Sequence, residues 1–297
     1  MKKFWDESCK MGEKMGKGMK RPLSLGLILM GLLSGCHSPG ESTKNTTGSV
    51  ALVQETEGAS SQITDTLSYY YDSFRMESTV TFPQDSSVTK DSTIYLANFP
   101  HFENKTVQAF VLRSQVASDT LTLQKAAETF INEYERFQES FPFPRSWNSE
   151  TSTKVLQITN SYIGLQTDHY NYTGGAHGIY NTHYTHFWVP DQIELSFPEL
   201  VDTSRLGGLL TIAEQHFWAQ EEEKDQELSM DLYFFDNNQF FLPENIAFEQ
   251  DSLLFLYNIY EIKPYVYGQT ELRLPYAEIL PFLTEKARHI IKIIKEK

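Results

Sequence analysis

Cysteine is nearly absent from this chain: Cys9 and Cys36 are the two among 297 residues. Beyond residue 36 there is no thiol, so disulfides, thiol catalysis and Cys-based zinc or iron–sulfur sites are excluded there. That part must hold itself together by burial alone. Long apolar runs are missing too. The stretch Leu23–Leu33 is about half of the roughly 20 residues a membrane-spanning helix needs. Positive charge is scarce, with 25 Lys and Arg against 39 Asp and Glu and a formal net charge of −14. This balance argues against nucleic acid or anionic headgroups as broad-surface partners, and it suits a cationic partner or plain solubility. There is no Gly-x-Ser-x-Gly elbow, no supported Ser-x-x-Lys and no His-Glu-x-x-His. No residue pattern identifies an enzymatic reaction, and no cofactor or metal is expected.

What is present begins with an address. Lys20 and Arg21 precede Leu23–Leu33, which has the length and flanks of a signal-peptide core. It ends in Leu33-Ser34-Gly35-Cys36, a sequence that resembles the lipobox of bacterial lipoproteins. The resemblance implies cleavage before Cys36 and acylation of its thiol. Residues 1–35 are then a signal peptide, with Met19 as an alternative start that gives a compact signal. The other reading is a small cytoplasmic tail on an uncleaved anchor. Loss of the signal removes seven basic and three acidic residues, moving the net charge from −14 to −18. The expected location is the bacterial cell envelope, lipid-anchored, on the periplasmic or outer surface. Residues 36–66, rich in Ser, Thr, Gly and Glu, read as the lipidated cysteine and a flexible tether.

Order is expected from about Leu67. With 20 Phe, 16 Tyr and 4 Trp the chain has ample material for a core. Alternation from Phe74 predicts a strand, and Thr93–Phe99 a second. Leu123, Ala127, Phe130, Tyr134, Phe137 and Phe141 recur at helical spacing over 121–141, with Thr122 as cap and Pro142 and Pro144 as stops. Residues 155–159 read as a strand whose buried face is ambiguous. Asn160-Ser161 turns into a strand over 162–172, a Gly-rich loop occupies 173–178, and a strand follows over 179–189. Leu206–Glu223 reads as a helix and 246–257 as a hairpin. Glu271–Leu274 is a short strand, and 276–295 is helical in two pieces broken at Pro281. The fold class is α+β, with mostly antiparallel sheets, packed helices and two subdomains.

Asn171-Tyr172-Thr173-Gly174-Gly175-Ala176-His177-Gly178 and Tyr260-Glu261-Ile262-Lys263-Pro264-Tyr265-Val266-Tyr267-Gly268, followed by Leu274-Pro275-Tyr276-Ala277-Glu278-Ile279-Leu280, resemble the extracellular domain of RsiV-type anti-sigma factors. A companion domain of that family, also seen ahead of peptidoglycan deacetylase domains, corresponds to residues 67–160, leaving 161–297 as the RsiV-like part. The resemblance implies ligand sensing, with lysozyme as the ligand in RsiV itself. The chain lacks an anti-sigma segment and a deacetylase domain, so neither activity carries over.

The residues that pattern and resemblance single out for binding are Tyr172, Gly174, Gly175, His177, Tyr260, Glu261 and Tyr265. Gly174 and Gly175 allow positive φ, so loop amides can form an anion nest around His177, or the loop is simply a tight connection. Tyrosines around Glu261 suit sugar stacking or a protein hot spot, or they fill the core. His169, His177, His183 and His186 cluster in sequence. Alternation puts His183 and His186 on opposite faces, whereas His169 and His177 approach across the loop with Glu194 as a third ligand candidate. The expectation is a non-catalytic binding or sensing module for an envelope protein or glycan. Its rival is an envelope enzyme acting on peptidoglycan or polysaccharide.

Overall fold

The computed structural model describes residues 67–79, 93–116, 122–141, 146–224 and 232–296, all within one unit spanning 48–297. The expected signal peptide, Cys36 and the tether lie outside the described residues. The larger sheet has six strands in chain order: β1 (Tyr69–Glu77), β2 (Ile94–Phe102), β3 (Asn148–Ile158), β4 (Tyr162–Tyr172), β5 (Ile179–Trp188) and β6 (Ile193–Glu194). β2 and β3 are parallel, and the other pairs are antiparallel. A parallel pair needs a crossover. Here it contains helices α1 (Lys105–Ser114) and α2 (Leu123–Ser140). The smaller antiparallel sheet joins β7 (Ile246–Phe248), β8 (Ser252–Tyr257) and β9 (Thr270–Pro275). Helices α3 (Phe197–Leu200), α4 (Leu206–Lys224), α5 (Tyr276–Ile279) and α6 (Glu285–Lys295) complete the α+β architecture.

Alternation along β4 feeds two cores. Ile163 and Leu165 meet Val107, Phe110 and Val111 of α1, where the Phe110 and Phe187 rings lie 4.9 Å apart. Tyr162, pointing the other way, joins Phe217 of α4, Phe255 of β8 and Ile290 of α6. The expected boundary between residues 160 and 161 falls at the β3–β4 turn, where Thr159 Oγ1 accepts the Tyr162 N–H at 2.9 Å. The sheet runs through it because β3 and β4 satisfy each other's backbone groups.

Several elements differ in detail from expectation. α1 was not anticipated, although Asn104 Oδ1 caps it by accepting from Thr106 and Val107 N–H at 3.0 and 3.2 Å. On α2, Thr122 caps as expected, and the buried row is Ala127, Ile131, Tyr134 and Gln138. Phe141 is exposed, its ring stacked on Phe137. In β3 a bulge between Val155 and Gln157 breaks the alternation and leaves Leu156 exposed, which is why the face was ambiguous. The C-terminal break sits at Leu283–Thr284 rather than at Pro281. Pro281 fits a 3-10 turn, and Thr284 caps the new helix by accepting from Ala287 N–H at 3.2 Å.

Candidate functional site

Two loops meet beside the open edge of β5. In the first, residues 173–178, Gly174 (φ 92) and Gly175 (φ 109) hold left-handed conformations that a Cβ disfavours. The Tyr172 hydroxyl donates to the Gly175 carbonyl at 3.2 Å and fixes the loop's shape. In the second, residues 258–269, Glu261 Oε2 accepts the Asn258 N–H at 2.7 Å, closing a tight turn through Tyr260.

The loops join through stacked rings. His177 lies on Tyr265 with ring centres 3.8 Å apart and planes 18° from parallel. Tyr260 stands 5.6 Å from Tyr265, and its hydroxyl is 3.4 Å from His177 Nε2. His177 Nδ1 is 3.0 Å from the Gly178 carbonyl, so Nδ1 carries the proton and Nε2 accepts from Tyr260. The result is an aromatic ledge open to solvent: Tyr260 is 42%, Tyr267 50% and Val266 83% exposed.

Side-chain amides anchor the ledge to the sheet. Asn258 Oδ1 accepts the Thr182 N–H at 2.7 Å while its Nδ2 donates to the Thr182 carbonyl at 3.1 Å. Asn245 does the same one step along, accepting from Tyr184 N–H at 2.8 Å and donating to Thr182 O at 2.7 Å. These two amides take the place of a neighbouring strand along this part of β5. Deeper in, His186 Nε2 donates to the Ile246 carbonyl at 3.0 Å, and its Nδ1 accepts from the Tyr162 hydroxyl at 2.7 Å. Burial lowers its pKa to about 4, which keeps the ring neutral in this role.

Next to the ledge, β3, β4 and β5 form the floor of a pocket of about 410 Å³. Cross-strand register builds it in rungs, Glu150–Tyr170–Tyr180 and then Ser152–Asp168–Thr182. Asp168 Oδ1 accepts from the Thr182 hydroxyl at 2.7 Å and from Gln166 Nε2 at 2.9 Å, and Oδ2 lies 3.4 Å from Lys154 Nζ. Both tyrosines lean on glycines of the two loops. A Cβ at Gly178 would stand 2.5 Å from the Tyr170 ring, and one at Gly268 (φ 68) 3.3 Å from the Tyr180 hydroxyl.

Of the residues expected from sequence, His177, Tyr260 and Tyr265 come together, while Tyr172, Gly174 and Gly175 shape the loop beneath them. Glu261 does not face the ledge: its carboxylate turns back onto Asn258, and burial raises its pKa. Tyr170, Tyr180, Glu150 and Asp168 were missed. Period-2 spacing puts 150, 168–170 and 180–182 near one another only once the strand register is known. The expected approach of His169 to His177 does not occur. His169 pairs with His183 on the opposite face of the sheet, ring centres 5.7 Å apart, and burial lowers its pKa to about 4. Glu194 lies 3.5 Å from Arg113 instead. Among the described residues, no group of three or more His, Cys, Asp or Glu is placed to hold a metal ion. No described helix is long and apolar enough to cross a membrane.

Two family models match successive parts of the chain, with their division between residues 180 and 200. Residues 200–277 match the family model described as a protein of unknown function, DUF3298. Residues 76–180 match the model described as deacetylase PdaC. The fold is that of solved DUF3298 structures. A Bacteroides fragilis member superposes with a TM-score of 0.60 at 19% identity, over 79% of this chain and all of that one. A Pseudomonas aeruginosa member gives 0.55 at 17% identity, over 74% of this chain and 96% of that one. No curated protein matches significantly.

Proposed function

We propose that this chain is a cell-envelope binding or sensing module, non-catalytic, held to the membrane by acyl chains on Cys36. The observation that carries the reading is the ledge of His177, Tyr260, Tyr265 and Tyr267. It is solvent-facing and aromatic, and it is set on a frame of amide-to-backbone bonds. Exposed tyrosines rigidly backed from below are what a protein hot spot or a sugar-stacking surface requires. His177 spends Nδ1 on its own loop and Nε2 on Tyr260. The resemblance to RsiV-type domains supports a sensing role, with a basic wall-associated protein of the lysozyme kind as one ligand suited to the negative charge.

The match to the deacetylase-named model favours one rival, an enzyme acting on peptidoglycan or polysaccharide. The test is capture from envelope extract by the detergent-solubilised chain, run beside its Tyr265→Ala variant, together with an assay of purified wall glycans for cleavage or deacetylation. Retention of a protein or glycan by the parent alone, with glycans unchanged, is the expected result. Turnover of the glycans with nothing retained would overturn it.

A further inference from the structure

We propose that the pocket on the β3–β4–β5 face takes an amino sugar bearing a free ammonium, as a de-N-acetylated glycan presents. This assignment rests on the binding reading above and names the ligand class for the pocket beside the ledge. Three features of the pocket select that chemistry.

The first is its pair of fixed rings. Gly178 lets Tyr170 lie against the loop backbone, and Gly268 does the same for Tyr180, which also meets Tyr265 edge-on at 6.3 Å. Tyrosines held in place before binding offer their faces to the C–H side of a pyranose at little ordering cost. The volume, about 410 Å³, lies near the small end of the range for ligand sites and suits a short saccharide.

The second is its set of hydroxyl, amide and carboxylate groups. Gln166 Nε2 already donates to both oxygens of Asp168, and Gln269 Nε2 donates to Asn258 Oδ1 at 2.8 Å. These two amides are turned toward protein acceptors, while the Asn181 amide and the Ser152, Tyr170 and Tyr180 hydroxyls stay available beside the carboxylates. Such a surface welcomes hydroxyls and an ammonium. An N-acetyl group brings no positive charge for the carboxylates to meet.

The third is an unequal pair of carboxylates. Asp168 is tied to Thr182, Gln166 and Lys154. Glu150, one rung away beside Tyr170, has no cationic partner among the described residues. It is the group left to pair with an incoming ammonium.

The experiment is calorimetric titration of the full chain in detergent with a glucosamine tetrasaccharide, its fully N-acetylated counterpart and tetralysine. The expected result is binding of the glucosamine oligomer at least about ten-fold tighter than either of the others. Glu150→Gln should weaken it by about ten-fold or more. Glu133→Gln, a control on the exposed side of α2, should leave it unchanged. Equal affinity for the acetylated sugar, tetralysine binding as well as the sugar, no binding at all, or an indifferent Glu150→Gln would each overturn the assignment. Envelope capture lost in Tyr265→Ala but unaffected by the glucosamine oligomer would sink this assignment and leave the binding reading intact. If the oligomer is bound and then cleaved, the reverse holds.

Discussion

Tyr260 holds φ at 63°, a left-handed conformation that costs a bulky residue about 1–3 kcal/mol. The strain sits in the turn that presents the ledge. Tyr260→Gly should therefore keep the unfolding free energy from urea titration within about 1 kcal/mol of the parent, or raise it, while ligand capture falls. His186 makes a second prediction. Its folded pKa, about 4, is below the unfolded value of 6.5, so the unfolded chain binds the extra proton between those values. Stability is complete above about pH 6.5 and is lost as pH falls toward 4, by on the order of 3 kcal/mol from this residue. Denaturation midpoints at pH 7 and 4.5 measure the loss, and His186→Gln should reduce the dependence while leaving the share that His169 contributes. At this scale the sequence was partly legible. His177, Tyr260 and Tyr265 stood out because short Gly- and Tyr-rich loops are unusual. Glu261 misled, because a carboxylate three residues after an N–H can cap its own turn as readily as face a ligand. The part of Gly178 in seating Tyr170 has no local signal; the contact exists only across the β4–β5 hairpin.

Elements carry the frame. The buried pair Glu221–Lys263, 2.6 Å apart, fastens α4 to the loop that bears the ledge, and the Tyr233 hydroxyl donates to the same carboxylate at 2.8 Å. Lys263→Met leaves Glu221 buried without its main partner and should cost about 3 kcal/mol or more. Adding Glu221→Leu should restore most of that, as urea titration of the single and double variants would show. Strong periodicity made α2 readable, the short row Leu209, Ala213 and Phe217 marked α4, and turn residues marked β4 and β5. α1 escaped notice because Val107, Phe110 and Val111 form a row too short to stand out, and only the Asn104 cap announces it. The β3 bulge shows the opposite limit: one extra residue reverses the alternation, and nothing in Val155-Leu156-Gln157 marks where.

At the scale of the molecule, two sheets share one framework through Asn245 and Asn258 rather than through a continuous ladder. No sequence rule marks an asparagine that completes a sheet edge 61 or 76 residues away. That join places the ledge and the pocket side by side. The proposed anchor predicts that native material, cleaved before Cys36, carries acyl chains on that thiol. Mass spectrometry of the N-terminal peptide checks it, and an unmodified Cys36 within an uncleaved chain would remove the anchor. As proposed above, the two loops form a binding face. Hydrogen exchange of the full chain with and without captured envelope ligand tests it most directly. Slowed exchange within residues 173–178 and 258–269, with little change on α2, is the result expected. Protection confined to α2 or to β1, with both loops unaffected, would contradict it.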